Sequence, residues 1–533
     1  MKYKYRILLF AALAVLTAFR VYYAGTINLS YDEAYNWEWS QRLAPDYYSE
    51  PGLVGWVTAL FVGLAGHSET GVRLGAIIFS LISSVILYWL ALSISKKEWV
   101  AFMSVFTLQT SPLGSAGAIL MMHDVVTMPF WLLAALFLWK AVDTGRPFWW
   151  WLLAPAAALA FSGKMSSLLF FPCALLFLLI TPRGRAWLGR KEPYAAAAAA
   201  ALLFSHNLIW NAGHGFMTYK HITGLGSASR PEFLKTTLEY AGSQVLVFTP
   251  ILFFIATAAF VWAVLRVFVD TPKVKSQDLT PVTRKVTFQD LTPFSAWGAR
   301  EDLAFFLSFS LSIFLFFLAL SFRSKVEANW TNIAFPASYI IVFIYLSEVN
   351  WKKAVKITAA GAGIALSVAV SVLIYYPSLV KAAGVNYTAD ADRTNEIHGW
   401  DAFGAEFSKA LEGLPGRDSV FIFGPNYQIT AITRFYMKGR PQTYCLPYSD
   451  RRHNQYDVWG GWEGLAGKDG LFVNNGEVPQ DIMEALVKAF RSVKRYRDIP
   501  VYRKEYKEPV RIMKVYYCKK FLGVDKLLEP AIY

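Results

Sequence analysis

Five carboxylates, Asp32, Glu33, Glu38, Asp46 and Glu50, crowd into SYDEAYNWEWSQRLAPDYYSEPG (Ser30–Gly52), interleaved with Trp37, Trp39, Tyr47 and Tyr48. Carboxylates gathered in this way take a proton from a reacting group or hold a cation. Cations that could neutralise a phosphate lie far along the chain: Lys164 in SGK, and Arg323 and Lys325 in SFRSKVEANW. Further polar and ring side chains are His123 and Asp124 in MMHD, Trp210 and Asn211 in WNAGHGFMTYKHITG, and Asn329 and Trp330 beside Glu327. The tryptophans and tyrosines among them could stack on sugar rings. Each residue also has a structural alternative. Asp32, and His123 with Asp124, could cap helices, the rings could form an interfacial belt, and Lys164 could snorkel to headgroups. WNAGHG could chiefly stop a helix.

The elements that must position these groups are apolar. Of 533 residues 55% are hydrophobic and 16% aromatic, more than one soluble core hides, while the charged share is only 17%. The net charge of +14 comes from Lys and Arg dispersed between apolar segments, which argues for loops flanking membrane spans and against nucleic acid as a partner. Spans of sufficient length are expected near 6–24, 71–95, 98–118, 125–141, 148–162, 165–181, 194–210, 245–267, 303–321, 331–348 and 355–376. That makes about eleven transmembrane helices, the first uncleaved. Residues 52–66 are apolar but short, as in a helix lying in the interface.

Most basic residues of the connections fall in the N-terminal tail, SKKEW, DTGRPFWW, TPRGRAWLGRKEP, the 268–302 segment and NWKK, which puts these inside and the carboxylate-rich first loop outside. Within 268–302, QDLTPVTRK is echoed by QDLTPFSAW, too few copies for a repeat architecture. Nearly all the polar clusters then share the outer side, and the span interiors are almost free of charge. A transporter or flippase of lipid-linked sugars, the competing reading, would need a charged path through the bilayer. After residue 376 the pattern changes to β-rich runs (SVFIFG, GLFVNN, RIMKVYYCKKFL) alternating with amphipathic stretches (WDAFGAEFSKALEGL, PQDIMEALVKAFRSV). Residues 377–533 are expected to form an α/β domain outside the membrane, and residues 1–376 the membrane domain. No spacing of the three cysteines suits zinc or redox chemistry, and an outer location leaves a Cys445–Cys518 disulfide open.

YDEAYNWEWSQRL…YYSEP, SGK, WNAGHGF, GSQ…FTP and RSKVEANW, in this order over roughly residues 1–350, resemble bacterial GT-C glycosyltransferases of the branch related to protein O-mannosyltransferases and the lipid A aminoarabinose transferase. The resemblance implies a polytopic GT-C membrane fold and an inverting transfer of sugar from a polyprenyl-phosphate donor to a lipid A, glycan or protein acceptor. It also implies the bacterial inner membrane, with a periplasmic active site and C-terminal domain. The family's acidic pair maps onto Asp32, as general base or acceptor-orienting group, and Glu33, fixing its geometry or assisting. Lys164, Arg323 and Lys325 would hold the donor phosphate, with Tyr47, Tyr48, His123, Asp124, Trp210, Asn211, Asn329 and Trp330 around the substrates. Many relatives have His and a second Pro where this chain has Glu50 and Gly52, and the Lys that follows the acidic version is missing. His221 resembles a metal-contacting His of that branch, so a divalent cation held by Glu50 and His221 is a further expectation.

Overall fold

The computed structural model describes residues 3–527 apart from 228–231, 269–293, 383, 386, 415 and 450, so most of the QDLTP echo lies outside the described residues. All eleven expected apolar stretches are helical. Among the described residues seven helices are long and apolar enough to cross a membrane: Lys4–Ala24, Glu69–Ser95, His123–Thr144, Pro250–Phe268, Glu301–Ser321, Ala328–Glu348 and Lys353–Tyr375. Met165–Ile180 and Pro182–Leu188, bent by 113° at Thr181, make an eighth if counted as one broken span. The remaining stretches are shorter or interrupted. Ser111 caps a new helix with Pro112 at its first turn, dividing 98–118, and the 194–210 stretch breaks at Phe204. Phe148–Gly163 has only 16 residues.

The spans pack around a core rich in rings and small residues, including Trp131, Trp139, Phe305, Phe309, Tyr339, Ala157 and Ala160. Two short helices, Tyr31–Gln41 and Leu53–Ala65, carry the carboxylate-rich segment at one end of the bundle.

The C-terminal domain is built on a five-stranded sheet of order β2-β1-β3-β5-β4, with β1 (Phe421–Gly424), β2 (Thr443–Cys445), β3 (Gly470–Asn475), β4 (Phe490–Val501) and β5 (Arg511–Phe521). β1 pairs parallel with β2 and β3, and β5 pairs antiparallel with β3 and β4. Alternating side chains serve two cores. Phe421, Phe423, Phe472 and Cys518 meet Ile482 and Leu486 of the Gln480–Ala489 helix. Ile422, Leu471, Val473, Met513 and Val515 face the other way, toward the Trp400–Glu412 and Tyr427–Tyr436 helices. That second core continues without a break into Ala34, Tyr35, Trp37, Trp39, Val54 and Val57, so the domain and the first segment fold as one body. Cys445 and Cys518 lie on opposite faces of the sheet with two strands between theirs, and all three cysteines are free thiols. The Cys445–Cys518 disulfide left open by the sequence therefore does not form.

Candidate active site

The Tyr31–Gln41 helix starts in a reciprocal cap. Ser30 Oγ accepts from Glu33 N–H at 3.3 Å, and Ser30 N–H donates to Glu33 Oε2 at 3.0 Å. Glu33 is fully buried, and Arg73 donates to it through Nε at 2.8 Å and Nη2 at 2.6 Å. The same guanidinium donates to the carbonyls of Ala24, Ile27 and Asn28, each at 2.8 Å, tying the end of the first span to the helix start. Met121 N–H adds a contact to Glu33 Oε1 at 3.2 Å. With its oxygens thus engaged, Glu33 faces away from solvent. It is placed to hold the helix start, and one residue earlier Asp32 is left exposed.

Asp32 opens onto a cavity of about 180 Å³ lined by Tyr35, Asn36, Trp39, Tyr48, Glu50, Met122, His123 and, from the C-terminal domain, Tyr427, Arg452, His453 and Asn454. Its hydrogen-bond partner is Tyr427, whose hydroxyl donates to Oδ1 at 3.2 Å. Surrounding protein raises the proton affinity of Asp32, while Tyr427 and the Arg452 charge oppose the rise. Burial pushes Glu50 up to about 7 against the pull of Lys164 and of Met165 N–H, which donates to Oε2 at 2.9 Å. Asp46, beneath the cavity floor, is also pushed by burial to about 7; it accepts from Tyr47 N–H at 3.0 Å and from Asn207 Nδ2.

Behind His123 and Glu50 stands Lys164, which donates to Asp124 Oδ1 at 2.8 Å and Oδ2 at 2.9 Å, with both side chains nearly buried. Asn329 Nδ2 donates to Asp124 Oδ2 at 3.1 Å, bringing the RSKVEANW segment to the same cluster. The approach depends on Gly163: a Cβ there would stand 2.3 Å from Thr127 Oγ1 and 3.1 Å from Thr127 Cα, so only glycine lets the two helices touch where Lys164 meets Asp124. His123 Nδ1 lies 3.3 Å from the Gly163 carbonyl, and its ring meets Trp39 edge-on.

Other expected residues stand outside the cavity wall. Tyr47 is buried, stacks on Trp39 with centroids 4.2 Å apart, and donates to the Trp39 carbonyl at 2.9 Å. Asn211 is buried between helices, donating to the Asn207 carbonyl and accepting from Thr218 N–H. Trp210 stacks on His214, and Trp330 packs against Phe317. Arg323 and Lys325 are exposed, Lys325 pairing with Glu327 at 2.8 Å, so neither lines the cavity. Of the two ligands expected for a cation, Glu50 lines the cavity and His221 stands behind the Tyr48 ring. Glu50 lies in the field of Lys164, and His221, buried against the Tyr48 ring, is held down to about 4 by burial and by Arg452. Among the described residues no group of three or more His, Cys, Asp or Glu could hold a metal ion.

Sequence reasoning missed the wall supplied by Tyr427 and Arg452–Asn454. These residues are held in place by contacts to the first segment: Gln455 N–H donates to Tyr35 Oη and Tyr48 N–H to Gln455 Oε1, both at 2.7 Å. Glu38, fully buried, accepts from Arg434 and from Tyr456 Oη. The carboxylate-rich stretch thus spends Glu33 and Glu38 on assembly and leaves Asp32 and Glu50 on the cavity.

Residues 49–210 match the family model for dolichyl-phosphate-mannose-protein mannosyltransferase. Over 336 residues the chain is 25% identical to the lipid A galacturonosyltransferase RgtD of Rhizobium johnstonii, a match covering 63% of this chain and 64% of that protein, just under two thirds of its length. The fold is similar to crystal structures of ArnT from Cupriavidus metallidurans, in the apo state and bound to undecaprenyl phosphate, each with TM-score 0.59 and 14% identity over 97% of this chain and 98% of the other. The helical bundle with a sheet domain closed over its end thus has the fold of the ArnT structures, and part of the chain is similar in sequence to sugar transferases of the protein mannosyltransferase and lipid A-modifying kind.

Proposed function

We propose that the protein transfers a sugar from a polyprenyl-phosphate carrier to a lipid A-type acceptor, with inversion, on the periplasmic side of the bacterial inner membrane. The observation that carries this is the cavity itself, where Asp32, an open carboxylate, faces a wall backed by Lys164. The acceptor oxygen would attack the anomeric carbon as its bond to the phosphate oxygen breaks, the bonding electrons leaving with the polyprenyl phosphate. An acceptor hydroxyl would give its proton to Asp32, whose proton affinity is raised by burial. An acceptor phosphate is already ionised, and Asp32 would then orient it. Lys164, fixed by Asp124, would offset the charge growing on the leaving phosphate, the main electrostatic demand of the step. Arg323 and Lys325, exposed on the same segment as Asn329, would meet the carrier's phosphate as it arrives from the membrane surface.

A route for the carrier's chain is supported by an apolar groove lined by Phe248, Phe260, Val264 and Leu318, with Gln244 on its rim. Gln244 Oε1 accepts from Thr331 Oγ1 at 2.9 Å, in the segment that carries Asn329 to Asp124. The excess of basic residues in the opposite loops supports the periplasmic assignment. The lipid acceptor is supported by the name of the Rhizobium relative.

The test is product formation by purified protein in detergent, where a flippase would do nothing measurable. Asp32→Asn should lower kcat about 10²- to 10⁴-fold with unchanged abundance, since a single long hydrogen bond to Tyr427 is all it disturbs. Equal loss of activity and abundance would make Asp32 a folding residue.

A further inference from the structure

Asp32 keeps its place by one hydrogen bond, and the donor, Tyr427, lies 395 residues away in the C-terminal domain. A carboxylate in the first turn of a helix is drawn back toward the free N–H groups of that turn. Here Ser30 and Glu33 already close the cap between them. Tyr427 Oη, 3.2 Å from Oδ1, holds the Asp32 carboxylate at the cavity instead, and Oδ2 accepts no hydrogen bond among the described residues. The donor is itself fixed. Asn426 caps the Tyr427–Tyr436 helix, accepting from Ile429 N–H at 3.0 Å, and the Tyr427 ring lies against Tyr35 with centroids 4.4 Å apart. Farther along that helix Arg434 pairs with the buried Glu38. Tyr436 Oη accepts from Leu29 N–H at 2.7 Å and donates to Glu69 Oε1 at 3.1 Å. The membrane domain therefore sets where the Tyr427 hydroxyl stands, and that hydroxyl sets where Asp32 stands.

We propose that Tyr427 is a positioning residue for Asp32: its hydroxyl fixes one carboxylate oxygen so that the other meets the acceptor, and the C-terminal domain controls the reactivity of a group carried by the membrane domain. The inference rests on the transferase reading and goes beyond it by giving that domain a task besides walling the cavity. A donor to a carboxylate also favours its ionised form. Tyr427 and Arg452 act on Asp32 in that sense, against the neighbouring charges of Glu33 and Glu396, while Glu50, His123 and His453 line the same cavity. Burial and the Asp32 charge push the Tyr427 phenol well above its usual range, so it remains a donor around neutral pH.

The test is a double-mutant cycle on the full chain in detergent. A panel of undecaprenyl-phosphate hexoses and hexuronates is offered with purified lipid A, and the donor turned over fastest by the wild type is carried through. Tyr427→Phe, which keeps the ring against Tyr35, should lower kcat per folded molecule about 10-fold. That is the lower end for a hydrogen bond to a charged group, because 3.2 Å is long for an O–H donor. KM for the donor and the melting temperature should stay near wild type, and the acidic limb of the pH–rate profile should move to higher pH. In the Asp32→Asn background the same change should cost less than about 2-fold, since the group it positions is already gone. An equal loss in that background would place Tyr427 on the substrate or in the fold and overturn the inference, as would an unmoved acidic limb or undiminished turnover in Tyr427→Phe. Turnover of no donor by the wild type would instead sink the transferase reading, and this inference with it.

Discussion

Glu33→Gln separates assembly from chemistry at the acidic pair. Both members of the Glu33–Arg73 pair have no exposed side-chain surface, and Arg73 makes five hydrogen bonds, two of them to Glu33. An amide at position 33 keeps the shape but turns one acceptor into a donor, which must face Arg73, Met121 N–H or Ser30 N–H. Removing one charge from a buried pair costs about 3–5 kcal/mol because the partner stays buried and uncompensated. Thermal unfolding in detergent should therefore show a drop of several degrees, and the double variant Glu33→Gln/Arg73→Gln should be less than additive. Turnover per folded molecule should stay within a few-fold of wild type, because Glu33 does not reach the cavity. An unchanged melting temperature with turnover falling as far as in Asp32→Asn would refute the reasoning and put Glu33 in the chemistry.

Two further outcomes follow from the same geometry. The Glu50 carboxyl is raised by burial from 4.5 to about 7, so the native state holds a proton that the unfolded chain releases; its stabilisation is complete below pH 4.5 and is lost as pH rises through 7. The wild-type melting temperature should fall between pH 5 and 8, and Glu50→Gln should flatten that slope, leaving the part due to Asp46; an identical slope in the variant would contradict the assignment. Gly163→Ala should cost about 1–3 kcal/mol through the clash with Thr127 and weaken donor binding by displacing Lys164, with partial recovery in Gly163→Ala/Thr127→Ala, measured by melting and by KM for the donor.

What the sequence reveals here follows from which forces are local. Apolar runs and the β-rich SVFIFG run are set by neighbours in the chain and appear where the sequence places them, whereas the helix cap falls on Ser30, two residues before the Asp32 expected for it. β4 is invisible to the same reading, because RSVKRYRD is charged along its length; it forms as an edge strand whose exposed Arg and Lys discourage further pairing. Among the carboxylates, composition could not tell Asp32 from Glu33 or Glu38, since the partners that bury the latter two, Arg73 and Arg434, are 40 and 396 residues away. Arg452 gave no local signal for the same reason. The short DRRHNQYD run reads as a polar loop until Gln455 is seen bonded to Tyr35 and Tyr48.

The continuous core shared by the two ends of the chain has a temporal consequence. Tyr35, Trp37 and Trp39 leave the ribosome early, and the Tyr427–Tyr436 helix that covers them follows some 400 residues later, a gap of about 20–80 s at ordinary synthesis speeds. Throughout that interval the rings lack the cover this helix gives, with Tyr47, Val54 and Val57 of the early chain their available neighbours. On the transferase reading we propose, the site lacks its Tyr427 and Arg452–Asn454 wall until the C-terminal domain has docked, so a chain ended before residue 427 would be inserted in the bilayer yet inactive.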